Sequence, residues 1–287
     1  MPSAAFRTNM MKVPMFEALF DIFSYGFLLR GLIVGLMVSI CAALLGVTLV
    51  LKRFAMIGDG LGHVGFGTLA VATAFGWAPL AVSLPVTLLA AFFLLRLSEG
   101  GRIKGDAAIA LVSASSLAIG IFVVSATTGM NTEVDSFLFG SILTLTNLDV
   151  VMSVSLCLVV LVLFILFYNR IFAMTFDENF AKATGMPTGL YNTVLAALVA
   201  ITIVVGMRMM GALLISSLII FPALSVMQLG KSYLTVTIWS AVIAVLSFLL
   251  GYSLALIFGT PAGASVVIIN LATFILLYLT RRVLHKS

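Results

Sequence analysis

Two residues with metal-binding side chains stand four positions apart in a nearly uncharged part of the chain. They are Asp59 and His63, in the stretch GDGLGHVGFG. Residues four apart lie on one face of a helix, so the carboxylate and the imidazole are expected to point the same way. These two groups suit zinc or manganese. Because one chain supplies only two such ligands, we predict that a complete site forms where two copies of the chain meet at a shared axis.

A simpler interpretation is that Asp59 and His63 hydrogen-bond to each other and stabilise a pair of helices. The predicted depth of the two residues in the membrane favours a metal site over this interpretation. Counted from Arg53 at the predicted membrane boundary, Asp59 lies ~9 Å and His63 ~15 Å along the helix, near the middle of a bilayer. Ionisable groups at that depth are costly and mark a pathway or a site. The other histidine, His285, stands in the C-terminal tail and is not expected to bind metal.

Five glycines surround the pair and allow two interpretations. They permit either close approach of a neighbouring helix or a helix that is locally weakened at the site. They are Gly58, Gly60, Gly62, Gly65 and Gly67.

The composition requires that most of the protein be solvated by lipid. Hydrophobic residues make up 62% and charged residues 9% of the chain, and the mean hydropathy is +1.27, which leaves too little polar surface for a water-soluble globule. Backbone amides in a bilayer must bond within the protein, and apolar runs of ~17 to 26 residues suit helices better than barrel strands. The sequence therefore predicts an all-α, multi-pass membrane protein.

Nine apolar segments are candidates for spanning helices. The break near Arg208 is the weakest, because Met207–Gly211 could be a kink, and eight spans are the alternative. Before the first span, Val13–Tyr25 has the pattern of a helix lying in the interface, so residues 1–30 are assigned to an N-terminal segment and 31–287 to the membrane domain. The predicted spans are Gly31–Leu51, Gly58–Gly76, Pro79–Leu97, Ala107–Ala126, Val150–Tyr168, Thr193–Met207, Gly211–Leu229, Tyr233–Phe258 and Ala264–Thr280.

Basic residues follow every second predicted span. Lys and Arg accumulate in short cytoplasmic loops, so these junctions are placed inside, which explains the net charge of +5 better than binding to nucleic acid does. The opposite junctions contain Glu133, Asp135 and Asp149, with Arg208 as the exception. Nine spans place the N-terminus outside, where three early basic residues fit poorly. The inside residues are Lys52, Arg53, Arg96, Arg102, Lys104, Arg170, Lys182, Lys231, Arg281, Arg282 and Lys286.

The longest predicted cytoplasmic loop, 172–192, contains the signals of a short helix. Asp177 and Glu178 supply N-terminal negative charge, the helix is expected to run to Thr184, and Gly185 provides the C-terminal stop, with a proline two positions beyond it. Such a helix is a candidate docking element.

Two other features of the sequence are not expected to carry a function. Cys41 and Cys157 each lie singly in a predicted span, without disulfide spacing, and are expected to be small buried hydrophobes. The segment Leu229–Ser232 ends like a phosphate-binding loop, but Ser225 stands where GxxxxGK[ST] needs its first glycine, and no strand precedes it. ATP would have to be bound elsewhere.

Taken in order along the chain, these motifs resemble the ABC-3 family of metal permeases, the membrane subunits of zinc, manganese and iron uptake systems. The segment Lys52–Gly67 resembles the family's arginine-flanked Gly-Asp followed four residues later by His. Two departures, Gly62 for the usual Ser and Gly67 for the usual Pro, adjoin the candidate ligands and bear on the choice of metal. The resemblance continues through Asp106, Leu138–Ser141, Asp149, Phe176–Gly185, Gly211–Leu214 and Phe221–Ala223.

The resemblance implies a permease of the type II ABC importer kind in a bacterial inner membrane, and not an enzyme. It implies a homodimer or pseudo-dimer, two cytoplasmic ATP-binding subunits and an extracytoplasmic metal-binding protein, with Zn²⁺ or Mn²⁺, and Fe²⁺ as a third candidate, as cargo rather than resident cofactor. Phe176–Gly185 would be the coupling helix. The implied site residues are Asp59 and His63 for metal, Asp177, Glu178, Ala181, Lys182 and Gly185 for coupling, and Glu133 and Asp135 for outer capture.

Three alternatives can be distinguished from this interpretation. A secondary transporter could use the same pair with proton coupling through His63, and co-purifying ATPase subunits would argue against it. A siderophore or vitamin permease of the ABC class needs a larger cavity and no ligand pair. An intramembrane zinc protease would use a motif such as HExxH, which the predicted spans lack.

Overall fold

The structure is a computed structural model that describes residues 26–99, 105–127, 147–230 and 232–284. Within those ranges it contains eleven helices and no strand, so the predicted all-α class is confirmed. The predicted interfacial helix and the candidate outer residues Glu133 and Asp135 lie outside the described residues. The helices are α1 (Gly26–Leu51), α2 (Ala55–Ala74), α3 (Pro79–Glu99), α4 (Gly105–Thr127), α5 (Asn147–Leu166), α6 (Tyr168–Phe176), α7 (Glu178–Ala183), α8 (Thr188–Met210), α9 (Ala212–Met227), α10 (Tyr233–Phe258) and α11 (Ala262–Leu284).

Six of the described helices are long and apolar enough to cross a membrane, namely α1, α4, α5, α8, α10 and α11. Helix α9 and the Pro79–Leu94 part of α3 are apolar but shorter. Helix α2, which carries Asp59 and His63, is not among the six. By length and composition the described residues therefore support a multi-pass membrane protein, but not the predicted count of eight or nine spans.

The uncertain break after Arg208 is a sharp boundary between two helices. Helix α8 ends at Met210, α9 begins at Ala212, and Gly211 between them has φ 86° and ψ 157°. That backbone conformation is open essentially to glycine alone, because a side chain would clash with the backbone there. The chain thus passes from one helix to the next through a single residue and needs no loop.

The predicted charge exception, Arg208, has a partner in the structure. Its Nη1 lies 3.0 Å from Oδ1 of Asp149, at the start of α5, and the Asp149 side chain is only 7% exposed. A charge buried to that degree is retained only when it is paired. The positive charge of Arg208, the exception among the predicted acidic outer junctions, is therefore paired with a neighbouring carboxylate.

Helices α1 and α8 form the centre of the bundle. In their most apolar parts 67% of the residues are buried, compared with 22% in α4. Helix α2 is enclosed by α1, α3, α4, α8 and α9. Peripheral helices expose large apolar side chains such as Leu89, Phe122 and Ile165, as expected where the surrounding solvent is lipid.

Two glycines allow α2 and α4 to pack with their backbones in contact. A Cβ added at Gly120 would lie 2.7 Å from the Cα of Gly67, and one added at Gly67 would overlap the carbonyl oxygen of Ser116. Helix α2 is continuous from Ala55 to Ala74. Of the two interpretations of these glycines, the structure supports close helix approach, and α2 has no break at the candidate site.

Replacing Gly67 with valine is expected to destabilise the fold, because the new side chain meets backbone atoms that cannot move aside. Overpacking of this kind costs about 1 to 3 kcal/mol. The measurement is the midpoint of thermal unfolding in detergent. The matched control is Gly62→Ala on the same helix, where the nearest atom to an added Cβ is Ser216 Oγ at 3.9 Å. Equal midpoints for both variants would contradict the close packing of α2 on α4.

Candidate functional site

Helix α2 presents Asp59 and His63 side by side. His63 Nε2 lies 3.6 Å from Asp59 Oδ2, and the two side chains are 28% and 46% exposed, respectively. The predicted placement on one helix face is therefore confirmed in geometry, since successive turns bring positions i and i+4 together. Each side chain is oriented by its contact with the other, and both remain partly exposed at the surface of the chain.

A third polar group, which the sequence interpretation missed, comes from α9. The Ser216 hydroxyl lies 3.3 Å from Asp59 Oδ1 and also 3.3 Å from the carbonyl oxygen of Ala212. Gly62 lies beside it and leaves this space open. A hydroxyl that donates to a carboxylate fixes its orientation, which is how neighbouring groups tune a metal ligand. The only signal in the sequence is that Ser216 follows the Gly211 motif by five residues.

One chain does not complete a metal site. Among the residues that the structure describes, there is no group of three or more His, Cys, Asp or Glu side chains that could hold a metal ion. His63 Nδ1 is buried and has no hydrogen-bond partner within the same described ranges. The imidazole is thus held at one nitrogen, and a cation that enters between the two groups would replace that contact.

The predicted short helix in the long loop is present as α7. Asp177 precedes it and accepts a hydrogen bond from the Phe180 backbone N–H at 2.8 Å, while Gly185 beyond its end has φ 82°. The side-chain cap and the left-handed glycine are the two local signals that were expected to begin and end this helix. The prediction of a helix here is confirmed, and its role stays a prediction.

Three of the five predicted coupling residues lie in α7, while Asp177 and Gly185 flank it. Ala181 is 1% exposed and packs inward, whereas Phe180 beside it is 66% exposed. Glu178 Oε1 accepts from Lys182 Nζ at 2.9 Å along the same helix. Ala181 therefore seats α7 on the bundle, and the solvent-facing surface is formed by residues such as Phe180.

Glu178 is held in its ionised form by its neighbours. Burial alone would raise the pKa of Glu178, but the hydrogen bond from Lys182 and the positive charges of Lys52 and Lys182 outweigh it and lower that pKa below its ordinary value. Its ion pairs are therefore fully formed at neutral pH. They weaken only as the pH falls through this lowered pKa, when the carboxylate takes up a proton.

Each cysteine lies singly in its own helix, as expected, and the structure brings the two helices into contact at these positions. Cys41 Sγ approaches the carbonyl oxygen of Cys157 at 3.5 Å, between α1 and α5, although 116 positions separate the two residues. Both are buried free thiols, so the expectation that they act as small buried hydrophobes is supported.

The match to a known protein family includes both α2 and α7. Residues 24–281 match the model of the ABC 3 transport family. The chain is 27% identical to the high-affinity zinc uptake system membrane protein ZnuB of Haemophilus influenzae, over 91% of this chain and 97% of that protein. It is 25% identical to the manganese transport system membrane protein MntC of Halalkalibacterium halodurans, over 90% and 88%, respectively.

A solved structure has the same fold. The chain superposes on a chain of PsaBC from Streptococcus pneumoniae in complex with Fab with a TM-score of 0.83 and 26% sequence identity. The superposition covers 92% of this chain and 95% of that one. The likeness therefore extends over nearly the whole of both chains.

Proposed function

The chain belongs to the ABC 3 transport family, and we propose that it is the membrane-spanning permease of an ATP-driven importer that carries a divalent transition metal into the cytoplasm. The observation that carries the choice of cargo is the pair on α2, an imidazole and a carboxylate 3.6 Å apart and both partly exposed. Zinc or manganese is the proposed cargo, with Fe²⁺ as a third candidate. The printed names of ZnuB and MntC support the first two.

The ligand types suit transport better than storage. Nitrogen and oxygen donors accept zinc, manganese and iron, whereas a set of thiolates would hold zinc far more tightly. Two copies of the chain around a twofold axis would bring two imidazoles and two carboxylates to one cation. Four such donors can replace the water around a divalent ion, and moving the two α2 helices apart would release it.

We extend the six long helices to nine spans by adding α2, α3 and α9. Helices α2 and α9 carry Asp59 and Ser216 and pack against several other helices of the bundle. A short or polar segment is tolerated at membrane depth when protein rather than lipid surrounds it. With nine spans, α7 and the C-terminus lie on the cytoplasmic side, and the Asp149–Arg208 pair lies on the outer side.

The partners follow from this orientation. Two cytoplasmic ATP-binding subunits are proposed to dock on α7 and to hydrolyse ATP, while an extracytoplasmic metal-binding protein delivers the cation. Glu133 and Asp135 are the proposed residues of outer capture. The protein is placed in a bacterial cell membrane as a homodimer.

Uptake measurements in proteoliposomes test the proposed function. The permease is reconstituted with the ATPase subunits that co-purify with it from its native membrane and supplied with radioactive zinc, manganese or iron. We expect uptake of at least one metal that requires hydrolysable ATP and stops with a non-hydrolysable analogue. Uptake driven by a pH gradient without ATP would instead identify a secondary transporter.

The proposed homodimer makes a prediction about distances between protomers. Met56 lies two turns before His63 on the same face of α2 and is 53% exposed, whereas Phe66 on the same helix is fully buried. A cysteine introduced at Met56 is expected to form a crosslink between protomers in the membrane. The matched control, Phe66→Cys, is expected to remain uncrosslinked. The reverse pattern would place α2 away from the dimer axis.

A further inference from the structure

Lys52 is a buried cation in the turn that directly follows α1. Its side chain is only 7% exposed, and its Nζ lies 3.5 Å from Glu178 Oε2. The same Nζ donates to Asn192 Oδ1 at 2.6 Å. Lysine is rarely buried to this extent unless its charge is paired. Three segments of the chain, namely the turn after α1, the helix α7 and the start of α8, are therefore joined at one ammonium group.

Glu178 completes the same network from α7. Besides Lys52 it accepts from Lys182 Nζ at 2.9 Å and from Asn192 Nδ2 at 3.4 Å. Its carboxylate thus binds α7 both to the turn after α1 and to α8. Only the contact with Lys182 has the short distance of a strong charge-assisted hydrogen bond, while the contacts with Lys52 and Asn192 are longer.

The segment that contains Lys52 leads directly into the helix of the candidate metal site. Only residues 52–54 separate α1 from α2, and Asp59 is the fifth residue of α2. Arg53 has φ 61°, a left-handed conformation that is strained for a residue with a side chain. Backbone hydrogen bonds from Lys52 to Thr48 and from Phe54 to Leu49, of 2.9 and 2.8 Å, fix this turn. A displacement of Lys52 would therefore be passed on to α2.

The turn also has a small space beside it. A cavity of about 20 Å³ is bordered by Lys52, Phe54 and Asn192, together with apolar side chains of α1, α2 and α8. Close-packed interiors resist displacement, and unfilled volume permits it. The space is about the size of one water molecule, so the packing between the turn, α2 and α8 is incomplete at this point.

We propose that Lys52 is the positioning residue that couples α7 to the metal-bearing helix, by transmitting displacement of Glu178 through the 52–54 turn to Asp59 and His63. This inference rests on the proposed function, because it requires an ATPase that moves α7. In this proposal Lys52 acts through Glu178 and the 52–54 turn. We expect its loss to lower the number of metal ions transported for each ATP hydrolysed.

The test measures that ratio in proteoliposomes that contain the whole complex. Lys52→Met keeps the length of the side chain and removes its charge, and is expected to lower the ratio about fivefold or more, the lower range of allosteric coupling. ATP hydrolysis itself is expected to continue. The control is Arg53→Gln, which removes a cation from the same turn where the side chain is exposed, and which is expected to keep the wild-type ratio.

An exchanged pair distinguishes transmission from loss of fold. In Lys52→Glu with Glu178→Lys, the two charges change places. Lys182→Met is added to both the single and the exchanged variant, because Lys182 would otherwise repel the ammonium group introduced at position 178. The link between the 52–54 turn and α7 is then restored, so the ratio is expected to recover relative to Lys52→Glu with Lys182→Met. A wild-type ratio in Lys52→Met, or an equal loss in Arg53→Gln, would overturn the inference. If Lys52→Met does not assemble, the exchanged pair decides, and its failure to recover in an assembled complex overturns the inference. Absence of ATP-dependent uptake by the wild-type complex would refute the proposed function instead.

Discussion

Replacing His63 or Asp59 with alanine is expected to abolish metal uptake while the protein still inserts and assembles. Each substitution removes one donor per chain and therefore two of the four in the proposed dimer. Altering even the neighbours of a metal ligand costs roughly 10- to 100-fold in metal affinity or activity, so losing a ligand should reduce uptake about 100-fold or more. Both side chains are partly exposed, and truncating them leaves no large core cavity. Uptake of radioactive metal by vesicles with ATP is the measurement.

Two further variants separate loss of a ligand from disturbance of α2. Asp59→Asn keeps the size of the side chain and its contact with Ser216 but removes the charge, and is expected to be as inactive as Asp59→Ala. Met56→Leu alters an exposed side chain on the same helix and is expected to transport normally. Normal uptake by either His63→Ala or Asp59→Ala would refute the site, and a defect in Met56→Leu would indicate a general requirement for α2.

Local signals were sufficient to predict the elements that carry the candidate functions. Asp177 and Gly185 mark the two ends of α7, because a side-chain cap and a left-handed glycine act within a few residues of the backbone that they terminate. The spacing of Asp59 and His63 placed them on one face for the same reason. These features need no knowledge of what packs against the helix.

Long-range pairings could not be predicted from the same sequence. Ser216 contacts Asp59 across 157 positions, and Cys41 meets the backbone of Cys157 across 116. Which residues meet depends on how each helix is rotated against its neighbour. In soluble proteins an apolar stripe indicates that rotation, but a helix that is apolar on all sides carries little of this information. The pairing of Arg208 with Asp149 was hidden in the same way.

We also expect that Phe180→Ala, on the exposed face of α7, separates the permease from its ATPase subunits. Phe180 is 66% exposed and Phe176 60% exposed, beside the charged residues Asp177 and Glu178, and the proposed orientation places this segment on the cytoplasmic side. Large aromatic side chains exposed together indicate a surface that is covered by a partner. Truncation of such an anchor costs about 2 kcal/mol or more, equivalent to roughly 30-fold weaker association. Co-purification and ATP-dependent uptake should therefore both be lost.

Phe258 provides the matched control, because it is equally exposed, at 70%, but lies at the opposite end of the bundle, in the last position of α10. Phe258→Ala removes the same side chain from a surface that the proposed orientation assigns to the outer side, and should leave both readouts unchanged. Ala181→Ser is the complementary variant, since Ala181 faces inward and a small change there leaves the outer surface of α7 intact. If Phe180→Ala retains its ATPase subunits at wild-type levels, docking occurs elsewhere, and the apolar face of α7 serves only to pack this helix at the membrane surface.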